Sequence, residues 1–482
     1  MKDTHTTTPS GLDRFFSITA RGSTVSREVR GGLATFFTMA YIVVLNPLII
    51  ARATDADGQF IGDGLVANVP LVASGTAFVA GMLSILMGVV GRVPFAMAAG
   101  LGLNAFVTFG IASQMSWEAA MGLVFLEGVI IGILVLTGFR VAVFNAIPVQ
   151  LKTAISVGIG LFIALIGFVD AGFVRRVAAG PPLEMGISGA LTSWPLLVFI
   201  IGLLVTAVLV ARKVKGAILI GIVGTTVLAM IVEALTKTGA ATPKNPAGWQ
   251  LVTPSWPERI FGFHNPLTLF TEFDPFGAFS QVSVILAVLL IFTLLVTDFF
   301  DTMGTIVGVG RQADLLDEEG QLPRTKEILL VDSIGAAAGG AGSVSSNTTY
   351  IESAAGVAEG ARTGLASVVT GLMFLLAIFV APLVAVVPYE AAAPALVVVG
   401  FMMMTTVREI DWSDFDIAIP AFLTIVIMPF TYSISNGIGA GFVSYVLIQA
   451  VKGRSRDVHP LMWAVAGLFV VYFALGPIKA LL

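Results

Sequence analysis

Residues 339–363 read Gly-Gly-Ala-Gly-Ser-Val-Ser-Ser-Asn-Thr-Thr-Tyr-Ile-Glu-Ser-Ala-Ala-Gly-Val-Ala-Glu-Gly-Ala-Arg-Thr, with apolar segments of membrane length on both sides. Gly339, Gly340 and Gly342 are poor helix formers. Ser343 to Thr349 suits extended backbone and an N-cap better than helix interior. A helix can then begin near Tyr350, which puts Glu352 in its first turn. There the free N–H groups and the helix dipole favour a carboxylate. At membrane depth an interrupted helix is tolerated only where it is buried in protein or lines a cavity. A half-helix N-terminus beside an acid is the recurring substrate site of secondary transporters.

The rest of the chain is a setting for such a site. Its 482 residues are 56% hydrophobic and 12% charged, against about 25% charged in a soluble domain. Mean hydropathy is +0.95. Apolar stretches recur from Leu33 to Leu481. At roughly 17–25 residues per full span they give about fourteen or fifteen membrane segments, some too short to cross fully. The expected fold class is an all-α polytopic membrane protein. No basic tract points to nucleic acid. The absence of Cys excludes disulfides and thiolate metal sites. His5, His264 and His459 all lie outside apolar segments, so neither a metal nor a cofactor is expected.

The first thirty residues are polar, carry Arg14, Arg21, Arg27 and Arg30, and contain no signal-peptide core. By the positive-inside rule the N-terminus is cytoplasmic. Arg92, Arg140, Arg212 to Lys215, Arg311 to Lys326, Arg362 and Arg408 then fall on the same side, with Arg175-Arg176 the exception. The location implied is the cell (inner or plasma) membrane.

An internal repeat is faint but readable. The span around Asn104 is broken by Gly100 and Gly102, much as the span around Tyr350 is broken, 246 residues later. Pro148 and Pro394, read as opening spans 5 and 12, share that offset. Seven spans separate the members of each pair, and an odd number makes the two halves run oppositely through the membrane. That is inverted-repeat architecture, with the site at the repeat interface.

Several polar residues stand in apolar surroundings. Asp298 and Asp301, at i,i+3, share one face of span 8. Asp costs roughly 2.5–3.5 kcal/mol at a membrane helix centre, so two in one turn need a compensating role. Capping at the inner end of the helix is the plainer alternative. Glu352 can accept hydrogen bonds from the N–H groups of a planar heterocycle, or simply cap its helix. Asn104 can donate and accept, to a ligand or to a neighbouring helix. Glu127, Asp332 and Glu359 read as structural pairing, and Met402 to Met404 as core or lipid-facing filler.

Together these residues resemble a known family. Asn347-Thr-Thr-Tyr-Ile-Glu352 is similar to the tenth-helix motif of the xanthine/uracil permease superfamily. With Gly100-Leu-Gly-Leu-Asn104, Asp298-Phe-Phe-Asp301-Thr-Met-Gly304 and Ala361-Arg-Thr-Gly364, the set resembles its AzgA-like branch of adenine/guanine/hypoxanthine permeases. The resemblance implies fourteen segments in two inverted repeats of seven, with short strands in spans 3 and 10. It implies a core domain (31–138 and 279–388) and a gate domain (139–234 and 389–482). The N-terminal tail (1–30) would be cytoplasmic and the loop 235–278 extracytoplasmic. By the same resemblance Asp298 and Glu352 bind the base, Asn104 assists, and Asp301 matters for transport. Uracil-type members carry Glu and His on span 8 where Asp298 and Thr302 stand here. Ser353 and Ala355 replace the Asn and Gly of the ascorbate/xanthine branch.

The reading is a purine-base symporter driven by protons, with sodium as the alternative ion. Asp298, Asp301 and Glu352 are the proton-coupling candidates, and Phe106 or Tyr350 would cover the face of the base. The lipid bilayer, and a second copy of the chain, complete the expected partners. Rival readings are a uracil/xanthine or anion carrier of the same fold, a channel, and an intramembrane aspartyl protease. The protease is disfavoured because a Gly-x-Gly-Asp motif is absent.

Overall fold

The computed structural model describes residues 11–62, 64–137, 147–176, 183–250, 252–271, 273–317 and 322–481; Arg140 lies outside them. In chain order its main elements begin with α1 (Val25–Met39), α2 (Ile42–Ile50) and α3 (Val69–Leu86). The first broken span is β1 (Met97–Ala99) and α4 (Leu101–Ala105), running into a π-helical segment at Phe106–Ile111. Next come α5 (Trp117–Thr137), α6 (Val149–Asp170), a hairpin of β2 (Val174–Arg176) and β3 (Leu183–Met185), α7 (Trp194–Ala211) and α8 (Ala217–Thr236). After the irregular loop follow α9 (Val284–Gln312) and α10 (Thr325–Ala341). The second broken span is β4 (Asn347–Thr349) and α11 (Ser353–Ala358). The chain closes with α12 (Gly364–Ala377), α13 (Tyr389–Met404), α14 (Phe415–Thr431), α15 (Ile434–Val451) and α16 (Pro460–Leu481).

Ten helical stretches among the described residues are long and apolar enough to cross a membrane, and two shorter apolar helices, Phe415–Thr431 and Pro460–Ala474, lie near the C-terminus. Polar side chains mark where several begin. Thr24, Asn68, Ser193, Ser283, Thr363 and Ser433 each accept from a backbone N–H of the first turn.

The helices pack in two groups. One holds α1, α3, α5, α9, α10, α11 and α12; the other holds α6, α7, α8, α13, α14 and α15. Close contact in both depends on glycine, because lipid supplies no hydrophobic drive between helices. A Cβ on Gly364 would lie 1.9 Å from the Gly88 carbonyl oxygen, and one on Gly400 2.4 Å from that of Gly160.

The same logic corrects the reading of Gly339 and Gly340. Both lie inside α10, which ends only at Ala341, with Gly342 as its C-cap. They admit other backbones: a Cβ would stand 1.9 Å from Ser345 O at Gly339 and 2.4 Å from Phe125 N at Gly340. The chain then reverses through Ser343 and Ser345, both with positive φ. The repeat anchors also shift. Pro148 sits at the N-cap of α6, but Pro388, not Pro394, holds that place on α13. Pro394 is buried inside that helix. The repeat offset is therefore longer than 246 at the strands and shorter at the prolines.

Candidate functional site

The two broken spans meet at their strands. β1 and β4 pair antiparallel, with Met97 opposite Thr349, Ala98 opposite Thr348 and Ala99 opposite Asn347. Gly100 N–H donates to Ser346 O at 3.0 Å and Tyr350 N–H to Ala96 O at 2.9 Å, extending the ladder at both ends. All six strand residues are buried. Each half-span thus satisfies the backbone groups that the break in the other leaves free. Side chains finish the task. Ser84 bonds both backbone groups of Met97, and the Ser353 hydroxyl accepts from Ala96 N–H at 3.0 Å.

A cavity of about 790 Å³ opens beside this crossing, within the usual size of a small-ligand site. Tyr41 at the N-cap of α2, Gly100 to Leu103, Thr349 to Glu352, and Asp301 and Thr305 of α9 form one wall. Lys152, Ser156 and Ile159 of α6 form the other, with Met402 and Met403 of α13 and Glu409 beyond it. The cavity runs out along the first turns of α6 and the last turns after α13. Counted by passages through the membrane, both ends lie on the face where α1 begins.

The acids are held from behind. Glu352 occupies the N-cap position of α11, one step before the first turn where the sequence put it. Its carboxylate accepts the hydroxyl of Tyr41, 311 residues away. Asp301 is exposed to the cavity, and its Oδ2 accepts the Thr348 hydroxyl at 3.3 Å. Neighbouring strand residues point to opposite sides, so Thr349 serves a different acid. Its hydroxyl lies 3.4 Å from Asp332 Oδ1, which also accepts Thr302 Oγ1 at 2.9 Å. Glu127 faces Asp332 and Ser346 in the same buried cluster. Glu359 is paired with Arg30 at 2.7 Å and with Lys215.

Of the six site residues expected from sequence, three line the cavity: Asp301, Glu352 and Tyr350. Tyr350 does so with its hydroxyl donated to Ala99 O at 2.6 Å. Asp298, Asn104 and Phe106 are buried and do not line it. The Asn104 amide has no hydrogen-bond partner among the described residues. Phe106 opens the π-helical segment, a distortion common at functional sites. Sequence reasoning missed Tyr41, Thr348 and Lys152. A tyrosine and a lysine in otherwise apolar spans were the available signals. Met402 and Met403, expected as filler, line the cavity.

The model of a permease family, of xanthine/uracil type, matches residues 26–439. The chain is 38% identical over 464 residues to the guanine/hypoxanthine permease PbuG of Bacillus subtilis, covering 96% of this chain and 99% of that one. It is 38% identical over 479 residues to the adenine permease AdeP of Escherichia coli, covering 98% of each. Among solved structures it is similar to the transmembrane domain of the cyanobacterial bicarbonate transporter BicA, with TM-score 0.58 and 15% identity over 86% of this chain and 96% of that one. SLC26A9 gives TM-score 0.60 at 11% identity, over 89% of this chain and 66% of that one. At such identities these two likenesses concern the fold alone.

Proposed function

Because the chain belongs to this permease family, and is a transport protein rather than an enzyme, we propose that it is a secondary active transporter importing purine nucleobases. The observation that carries the reading is the cavity at the strand crossing, with the carboxylates of Asp301 and Glu352 in its wall. Two fixed acceptors suit the N–H groups of a planar base. The many apolar contacts suit its faces.

In this reading the helix group of α1–α5 and α9–α12 is the core domain, and that of α6–α8 and α13–α15 the gate. Rocking of one against the other gives alternating access, and the N-terminus is cytoplasmic in the cell membrane. The carboxylates of Asp301 and Glu352, with Asp298 one turn from Asp301 on α9, supply the proton site. Loading with a base and a proton together leaves the site closer to neutral, which lowers the cost of carrying it through the closed state.

The test is uptake of radiolabelled hypoxanthine, guanine and adenine by cells lacking their own purine transport. Saturable accumulation that collapses with an uncoupler, while the sodium gradient is kept, supports the reading. Accumulation that follows sodium and ignores the uncoupler removes the proton. Absence of purine uptake by protein present in the membrane removes the substrate.

A further inference from the structure

The wall opposite the acids has its own chemistry. Lys152 is the one cationic side chain lining the cavity among the described residues; the acids there are Asp301, Glu352 and Glu409. It is 8% exposed, well inside the first turn of α6. Lys152, Ser156 and Ile159 stand at i, i+4 and i+7, on one stripe of that helix, and all three line the cavity. The deep end of the stripe is fixed by Ile159, whose Cγ2 would lie 2.9 Å from a Cβ on Gly102. Lys152 is two turns nearer the mouth, about 10 Å along the axis.

Resting on the purine reading above, we propose that Lys152 selects bases that carry an oxygen at C6, guanine and hypoxanthine, over adenine. Consider a purine bound as its N9–H tautomer, with that N–H toward the carboxylates of Asp301 and Glu352. Its C6 substituent lies at the far end of the ring system and faces the α6 wall. An ammonium donates three hydrogen bonds and accepts none. It meets the C6 oxygen of guanine or hypoxanthine as donor to acceptor. Against the exocyclic amine of adenine it sets N–H against N–H. Burial amplifies both outcomes, since charge interacts more strongly away from bulk water. A site built to hydrogen-bond one group rejects the analogue that cannot answer it far better than an apolar pocket rejects a change of size. The identity levels to PbuG and AdeP are equal at 38%, so overall similarity does not make this choice; a donor in the wall does.

The experiment is competition against radiolabelled hypoxanthine uptake, in cells without endogenous purine transport, by hypoxanthine, guanine, adenine and unsubstituted purine. For the wild type, hypoxanthine and guanine should compete at least tenfold better than adenine and than purine, which lacks the C6 oxygen. In Lys152→Met the hypoxanthine-to-adenine ratio should fall at least tenfold, and Lys152→Arg, which keeps the donors, should restore most of it. Membrane abundance of each variant is read by a C-terminal fluorescent tag. A wild type that takes up hypoxanthine but ranks unsubstituted purine or adenine equal to it overturns the lysine assignment, whether or not any variant folds. An unchanged ratio in a membrane-resident Lys152→Met protein overturns it too. A wild type with no purine uptake at all overturns the underlying reading, and the lysine assignment with it.

Discussion

The guanidinium of Arg52 lies over the ring of Tyr389, 5.2 Å from its centroid, and joins the chain just after α2 to the start of α13. Arg52 also donates to Val387 O at 3.4 Å, and the Tyr389 hydroxyl reaches Leu48 O at 3.5 Å. Asp170, at the end of α6, and Glu390 lie nearby. All of these sit on the face opposite the cavity mouth. The contact fastens the two helix groups where the cavity does not open.

Loosening that contact should let water in from the far face. A desolvated cation–π contact is worth about 2 kcal/mol, enough to shift a two-state balance more than tenfold. Because the chain has no Cys, a single Leu48→Cys reports without background. Its labelling by a membrane-impermeant maleimide added on that face should be at least fivefold faster when Arg52→Ala is also present. Equal rates would mean that Arg52 does not hold this face shut.

Glu352→Gln should separate a binding role from a capping one. The change keeps shape and one acceptor, removes the charge and is easier to bury. A charge-assisted hydrogen bond is worth roughly 1.5–3 kcal/mol, and tenfold in affinity is about 1.4 kcal/mol. Purine affinity should therefore fall at least tenfold, with normal abundance in the membrane. If Glu352 only caps α11, Gln serves there equally and affinity stays put.

The buried Asp332 gives a stability prediction. Thr302→Val keeps the shape but removes the 2.9 Å donor to Asp332. Leaving a buried carboxylate short of a donor costs about 1–3 kcal/mol. The detergent-solubilised variant should melt several degrees lower in a fluorescence size-exclusion assay, and Thr302→Ser should not. Equal melting of Val and wild type would show that Asp332 does not depend on this hydroxyl.

Gly339→Ala should be worse than any ordinary overpacking, which costs about 1–3 kcal/mol. Its Cβ would lie 1.9 Å from backbone, at Ser345 O, and backbone has little room to yield. Gly224→Ala is the control, since nothing stands within 4 Å of a Cβ there. Monodisperse Gly224→Ala with aggregated or absent Gly339→Ala is the expected pair. Two well-behaved proteins would contradict the packing.

Sequence carried the fold further than the site. Glu352 stood out because an acid after a Gly- and Ser/Thr-rich interruption is rare in an apolar chain. The breaks at Gly100 and before Tyr350 were legible for the same reason. Which residues of β1 and β4 pair was not, because three-residue strands buried on all sides show no alternation. Tyr41 could not be matched to Glu352, since nothing local links residues 311 positions apart. Asp298 and Asp301 were indistinguishable by spacing; only the folded packing around α9 decides that Asp301 lines the cavity and Asp298 does not. Lys152 was legible as an oddity and illegible as a wall.

The pairing of β1 with β4 has a consequence for how the protein is made. During synthesis, the first half-span enters the membrane with its strand edge bare, and its partner is about 250 residues still to come. No local contact can complete that edge, and contacts so distant in sequence form late. Until β4 arrives, the backbone of β1 must be sheltered by its own neighbours, such as Ser84 on Met97, or by the insertion machinery. A ribosome that stalls before Asn347 therefore leaves a chain with most of its spans and an open polar seam among them. That seam is a signal that membrane quality control can recognise.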